Sequence, residues 1–470
     1  MIEFGTSGWR GVIGEDFTFE HVRFASQGIV NYLKKTVERK KMSVVVGYDT
    51  RFLSEKFGAE AAKILAFNGI EAFLTSRDVP TPVVSFETIR RGAVGAINFT
   101  ASHNPPEYNG LKFSTADGAP ALPEVTHAIE AEIRALEEKN ERIDIYEKPE
   151  LIKEIEPRER YLAELREKID VDVIRGSGLK IVVDCLYGTS REYLDYFLIE
   201  TGLQVKSIHN YRDPYFGGFS PECTLKNLGD LRRTVTNEGY DLGLATDGDG
   251  DRFGIIDNRD RFVSANLILA LLALYFKRER KFEGGLARSV ATTHLIDAIG
   301  EKLGVEVFET PVGFKYIGEL ILQDRIAIGG EESAGLSIRG HLPEKDGILA
   351  CLLVVEMIAR TGKTIETLIQ EMYAEFGCFY SKRVDIKLTP QLRESLAEKL
   401  AHPPKELGGL TVKKVTTIDG VKLEFEGGNW LLFRRSGTEH VARVYAEAST
   451  PKALKSLIDL GKKFAVETRG

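Results

Sequence analysis

The chain has 470 residues, a net charge of −7, and 43% hydrophobic against 28% charged residues. At roughly 150 residues per domain this predicts about three or four soluble globular domains, each long enough to bury a core. The mild acidity, without a long basic tract, excludes the profile of a nucleic-acid binder, so an anionic substrate would need Arg and Lys gathered in a cleft.

In chain order, Met1-Ile-Glu-Phe-Gly-Thr-Ser7 has neither the basic nor the apolar segment of a secretory leader. Ser43-Val-Val-Val-Gly47 reads as a strand followed by a helix, with a new strand after Asn68-Gly69. The pattern repeats from Lys180-Ile-Val-Val-Asp184 to Thr201-Gly202, and from Ser289-Val-Ala-Thr292 to Leu303-Gly304. Each time a Gly stands where a helix C-cap belongs. Three β-α-β units with parallel sheets are therefore predicted. Lys139 to Glu159, charged and Pro-containing, reads as a linker. Asp257 to Asp260 reads as a closing turn, and a helix near Ile365 to Glu375 leads out of the third unit. Leu267 to Phe276 is too short to span a bilayer. Segments from Leu410, Val421, Trp430 and Ala442 alternate like antiparallel strands before a final helix from about Pro451 to Ala465. The predicted domains are 1–150, 151–257, 258–370 and a smaller α+β domain, 371–470. Cys185, Cys223, Cys351 and Cys378 are scattered without zinc spacing, and reduced thiols in a cytoplasmic enzyme are expected.

Each α/β unit is followed by an apolar strand that runs into a polar loop. These loops are Thr100-Ala-Ser-His-Asn-Pro105, Asp247-Gly-Asp-Gly-Asp-Arg252 and Gly330-Glu-Glu-Ser-Ala-Gly335. Ligands gather at the carboxyl ends of strands in open α/β sheets, so three equivalent loops can meet in one cleft. In the second loop, an extended chain would put Asp247, Asp249 and Asp251 on one side, with Gly248 and Gly250 allowing a tight curl. Three hard oxygen donors suit Mg²⁺, and Arg252 beside them points to a phosphate as shared partner. An EF-hand is excluded, because Arg252 and Asn258 stand where its Gly and Glu belong. A solvated Asp/Gly turn is the bland alternative. In the first loop Ser102 is a hydroxyl that would need activation by a base or metal. No G-x-S-x-G elbow accompanies it, and His103 alone reads equally well as an ordinary hydrogen-bonding residue.

Five segments together resemble the α-D-phosphohexomutase family, the phosphoglucomutases and phosphomannomutases. Gly5-Thr-Ser-Gly-Trp-Arg-Gly11 resembles its N-terminal signature, and Thr100 to Pro105 its phosphoserine loop. Asp247 to Arg252 resembles its metal loop, Gly330 to Gly335 its sugar loop, and Arg434-Arg-Ser-Gly-Thr-Glu439 its phosphate loop. The resemblance implies three similar α/β/α domains with mixed, mainly parallel sheets, plus a C-terminal α+β domain, around a central cleft. It implies Ser102 as phosphoserine and Mg²⁺ held by Ser102, Asp247, Asp249 and Asp251. Lys112, Arg10 and His103 would complete the catalytic set. Arg252, Gly313, Lys315, Glu331, Ser333, Arg434, Ser436, Gly437 and Thr438 would bind substrate, with Arg288 and Lys345 also facing the cleft. The implied reaction interconverts glucose 1-phosphate and glucose 6-phosphate through glucose 1,6-bisphosphate, in a monomer or homodimer without membrane or nucleic-acid partners. Gly-Glu-Glu-Ser and Glu344-Lys-Asp-Gly347 look glucose-type, whereas Ala334, Arg435 and His440 depart from the usual pattern. A phosphomannomutase or dual-specificity enzyme, and less so a phosphoglucosamine mutase, are the alternatives.

Overall fold

The computed structural model describes residues 2–5, 8–139, 143, 148–435 and 441–467. Three sheets share one strand plan. In the first, Ser43–Tyr48 lies between Glu71–Thr75 and Gly95–Phe99, parallel to both, and Tyr108–Thr115 returns antiparallel to Gly95–Phe99. In the second, Lys180–Asp184 lies between Gln204–Ile208 and Leu242–Thr246, with Phe253–Asp257 antiparallel to the latter. In the third, Gly285–Ser289 lies between Val307–Thr310 and Ile326–Gly330, with Leu336–Ile338 returning. The Ser102, Asp247 and Glu331 loops are thus the same connection in three copies, each joining the last parallel strand to its antiparallel return.

The helix ends follow the sequence signals. Gly69, Gly202 and Gly304 have φ of 78°, 85° and 65° after the helix that joins the first two parallel strands of each unit, a region open to Gly at little cost. Side chains of Thr18 and Ser264 accept from backbone N–H groups at the starts of Phe19–Thr36 and Ala265–Arg278, satisfying donors the helix cannot.

Several boundaries move. Ile152–Ile155, inside the expected linker, pairs in parallel with Glu71–Thr75, so the first sheet extends past residue 150. Its middle residues, Lys153 and Glu154, are exposed, and that solvated edge is why it reads as a linker. Phe262–Val263 pairs with Phe253–Asp257, placing the second break after 257. Helix Ile365–Phe376 runs through the expected third break. The strand expected over 289–292 is instead Gly285–Ser289, and Val290 to Thr292 belong to the turn into the next helix.

The apolar run from Leu267 lies in the buried helix Ala265–Arg278, and no described helix is long and apolar enough to cross a membrane. Helix Gly347–Thr361 packs on both Ala265–Arg278 and the strand Phe253–Asp257, so the second and third units share one core. The C-terminal sheet is wholly antiparallel, with Tyr380–Lys387, Val441–Ala448, Trp430–Arg435, Val421–Phe425, Leu410–Thr416 and Glu406–Leu407 in spatial order. Trp430, Leu432 and Tyr445 on one face of it pack against Val290 and Ala291 of the third unit. The buried Lys422 ammonium there donates to the Val290 carbonyl at 3.1 Å and lies 3.2 Å from Glu309 Oε1.

Candidate active site

Asp247 follows the strand Leu242–Thr246 and opens a tight turn, not the extended segment expected. The Gly250 N–H donates to the Asp247 carbonyl at 3.0 Å, and the Arg252 N–H donates to Asp247 Oδ1 at 3.0 Å. Convergence of the carboxylates comes from this turn rather than from strand alternation. Gly250 has φ 69°. A Cβ on Gly248 would sit 2.8 Å from the Ser102 carbonyl oxygen, so Gly is what lets the first and second units touch here. Asp247, Asp249 and Asp251 are fully buried, with one carboxylate oxygen from each within 4.8 Å of the others.

Ser102 has φ 51°, and its hydroxyl donates to Asp247 Oδ2 at 2.9 Å. His103 Nδ1 is 3.3 Å from the same hydroxyl. Burial, Arg252 and Arg10 hold that imidazole well below its ordinary pKa, so it is a neutral ring. Arg10 donates to Asn104 Oδ1 at 2.5 Å in the same loop. Lys112 bridges Asp249 Oδ2 at 2.6 Å and Asp251 Oδ2 at 3.0 Å, and Lys345 reaches Asp251 Oδ2 at 3.0 Å. Burial would lower Lys112, but Asp249 and Asp251 outweigh it and hold the ammonium above its ordinary value. Burial raises Asp247 well above the carboxylate range, and Asp249 and Asp251 push it the same way. Asp251 moves down: burial is outweighed by Lys112 and Lys345.

The residues fit a divalent cation. Oδ1 of Asp249 and of Asp251 are buried with no hydrogen-bond partner. Unpaired buried carboxylate oxygens are costly, and hard cations take such donors.

A second cluster adjoins the first. The Phe253 N–H donates to the Ala334 carbonyl at 3.3 Å, tying the Glu331 loop to the aspartate turn. Glu331 Oε1 accepts from the Gly313 N–H at 2.8 Å, ahead of helix Phe314–Leu322 that carries Lys315. Ser333 is half-buried in the same turn. Arg252 has a buried Nε that makes no hydrogen bond and lies 3.9 Å from Asp251 Oδ1. Arg434, near the end of the strand Trp430–Arg435, pairs with Asp419 Oδ2 at 2.8 Å. Ser436, Gly437 and Thr438 lie outside the described residues. Arg288, expected to face the cleft, is engaged within its own unit by Asp297 Oδ2 at 2.5 Å and Glu309 Oε1 at 2.7 Å.

Thr81 carries no sequence signal beyond a helix start. Its hydroxyl donates to Asp249 Oδ2 at 2.6 Å, its N–H donates to the Asp249 carbonyl at 2.8 Å, and Asn98 Nδ2 donates to that hydroxyl at 2.9 Å. Arg191 of the second unit forks onto both oxygens of Asp78 in the first, at 2.9 and 2.8 Å. Together they dock the aspartate turn on the first unit.

Burial, and then the Glu332 carboxylate, push Glu331 from 4.5 up to about 7. Between those pH values the unfolded chain releases a proton that the folded chain retains, so stability falls as pH rises from about 4.5 to about 7. That displacement corresponds to about 3 kcal/mol. Glu331→Gln keeps the acceptor for Gly313 and removes the charge. We expect the variant to unfold at a higher denaturant concentration than wild type at pH 8 and at the same one at pH 4.5; an offset independent of pH would refute the assignment.

The chain matches four domain families described as Phosphoglucomutase/phosphomannomutase: alpha/beta/alpha domain I over residues 1–140, domain II over 159–260, domain III over 264–376 and the C-terminal domain over 392–460. A phosphoglucomutase/phosphomannomutase of Thermococcus kodakarensis is 32% identical, over 99% of this chain and 98% of its own. A relative from Methanosphaera stadtmanae, named as a phosphoglucosamine mutase, is 30% identical over 98% and 97%. A crystal structure from Thermus thermophilus, named as a phosphomannomutase, superposes with a TM-score of 0.86 at 35% identity, covering 98% of both chains.

Proposed function

The chain belongs to the phosphoglucomutase/phosphomannomutase family, enzymes that move phosphate within a sugar, and on that premise we propose that it interconverts glucose 1-phosphate and glucose 6-phosphate through phosphorylated Ser102 and glucose 1,6-bisphosphate. The observation that carries the reading is the Ser102 hydroxyl 2.9 Å from Asp247, in a cage of buried carboxylates with unpaired oxygens. Phosphoryl transfer needs in-line positioning and neutralised equatorial oxygens, and little covalent help. Mg²⁺ held by Asp247, Asp249, Asp251 and the Ser102 phosphate would supply Lewis-acid neutralisation of those oxygens.

The remaining roles fall to the chain's own groups. Ser102 carries the phosphate, gives it to the free sugar hydroxyl, and takes the other phosphate back after the bisphosphate turns round. Lys112, held as an ammonium, has a proton to give to the sugar oxygen on the return transfer. In the forward direction it becomes a base only when its pairs with Asp249 and Asp251 loosen. Arg10 and Arg252 supply guanidinium donors beside the transferring phosphate, and neutral His103 orients the serine hydroxyl. Glu331 and Ser333 bind sugar hydroxyls, Lys315 binds anionic oxygens, and the Gly313 N–H orients Glu331. Arg434, with Ser436, Gly437 and Thr438, grips the phosphate that is not transferred.

Glucose is the reading that the Gly330-Glu-Glu-Ser333 form of the sugar loop supports, with Glu331 and Ser333 placed on the sugar hydroxyls. A dual glucose and mannose specificity is the second reading, supported by the double name of the Thermococcus relative. A coupled assay of glucose 6-phosphate formation from glucose 1-phosphate, with Mg²⁺ and catalytic glucose 1,6-bisphosphate, tests it against mannose and glucosamine 1-phosphates. A clear glucose preference is expected, comparable rates with mannose would favour the second reading, and turnover of glucosamine 1-phosphate alone would overturn both.

The Thr81 contacts give a further expectation. Groups that orient metal ligands commonly account for about 10–100-fold in metal affinity. Thr81→Val should therefore raise the Mg²⁺ concentration for half-maximal activity about 10-fold, and Thr81→Ser should restore it. An unchanged Mg²⁺ titration in the valine variant would remove Thr81 from the site.

A further inference from the structure

The serine loop turns its carbonyl groups inward around one side chain. Arg51 is fully buried, and its Nη2 donates to the carbonyl oxygens of Ser102 at 2.7 Å and Asn104 at 2.6 Å. Its Nη1 donates to those of Pro105 at 2.7 Å and Tyr108 at 2.9 Å. Nε pairs with Asp49 Oδ2 at 3.1 Å, and Asp49 Oδ1 accepts from the Arg51 N–H and from the Ser54 hydroxyl. The guanidinium has five N–H donors in a rigid plane, and five contacts engage it. A lysine ammonium, with three donors from one point, cannot reach four carbonyls spread along the loop.

The roof of this group comes from the second unit. The Phe216 ring lies 5.0 Å from the Arg51 guanidinium carbon and is fully buried, with φ 50°. Five residues on, the Pro221 carbonyl accepts from the Gly248 N–H at 3.1 Å. One segment therefore supports both the clamp under Ser102 and the turn that presents Asp247.

We propose that Arg51, capped by Phe216, is the positioning residue that aims the Ser102 hydroxyl into the aspartate turn. With the Ser102 carbonyl fixed on Nη2, the residue is held at φ 51°, a conformation side chains other than Gly adopt sparingly. From that backbone its hydroxyl meets Asp247, and a phosphate on it would point at the carboxylate cage. Arg51 touches neither substrate nor phosphate in this scheme; it acts through the loop. The inference rests on the phosphoserine reading above.

The test separates aim from binding. Wild type, Arg51→Lys and Phe216→Leu are mixed with glucose 1,6-bisphosphate and Mg²⁺, and phosphate on Ser102 is followed by intact mass. The Kd for glucose 6-phosphate is measured in parallel by calorimetry. A misplacement of about 1 Å costs on the order of 100-fold in rate. Arg51→Lys should therefore phosphorylate about 100-fold more slowly, and Phe216→Leu about 10-fold more slowly, with Kd within about twofold of wild type. Wild-type phosphorylation rates in both variants, or a loss confined to Kd, would overturn the inference. If Arg51→Lys does not fold, Phe216→Leu decides alone, since leucine fills the apolar space without a ring face. A wild-type chain that takes no phosphate on Ser102 while still turning over substrate would overturn the phosphoserine reading, and this inference with it.

Discussion

Ser102→Ala is expected to lower turnover of glucose 1-phosphate by at least about 10⁴-fold, since it removes the only group proposed to carry the phosphate between transfers. The fold should survive. The side chain makes one hydrogen bond to a carboxylate, to Asp247 at 2.9 Å, and a bond of that kind contributes about 1.5–3 kcal/mol. The backbone at φ 51° is set by the Arg51 clamp rather than by the hydroxyl, and alanine meets it at a similar cost. The melting temperature should fall by only a few degrees and hexose-phosphate affinity should stay near wild type, while the phosphorylated mass species disappears and Mg²⁺ binding weakens with the loss of the Ser102 ligand. Wild-type-like turnover in the alanine variant would end the phosphoserine mechanism and leave a direct transfer between bound sugars as the alternative.

Much of this site was legible in the sequence, because it is built from loops whose chemistry is local. Ser102, Asp247, Asp249, Asp251 and Glu331 each sit where an apolar strand gives way to polar residues, and the fold brings those three strand ends together. The repeat itself could be read because Gly69, Gly202 and Gly304 mark equivalent helix ends. What could not be read depends on partners distant in sequence. Arg51 follows a strand and resembles any charged loop residue, yet its role is defined by four carbonyls 51 to 57 residues away. Thr81 likewise acquires its meaning only from Asp249, 168 residues on. Ile152–Ile155 was hidden for another reason: an edge strand with its middle residues in solvent carries no hydrophobic alternation. Arg288 misled in the opposite sense. Its charge suited an anionic cleft, but Asp297 and Glu309 had already claimed it.

Asp249→Asn is expected to cost about 10³-fold in turnover and to raise the Mg²⁺ requirement at least about 10-fold. Asparagine matches aspartate in shape, and its one oxygen can still accept from the Thr81 hydroxyl, so the turn should keep its place. What it lacks is charge. With the amide oxygen kept on Thr81, the place of Asp249 Oδ1, buried without a hydrogen bond, is taken by the amide nitrogen, which is a donor and no ligand for a hard cation. The Lys112 ammonium, 2.6 Å from Asp249 Oδ2, also loses one of its two anionic partners. Its proton is then held less tightly, so Lys112 should titrate lower in the variant than in wild type. The two effects separate by experiment. Mn²⁺ binding followed by electron paramagnetic resonance reads the ligand loss alone, without turnover. The pH profile of kcat at saturating Mg²⁺ reads Lys112, and its basic limb should move to lower pH. If Mn²⁺ affinity is unchanged while turnover falls, Asp249 serves only to hold Lys112, and the three carboxylates are a charge partner for the lysines rather than a metal site.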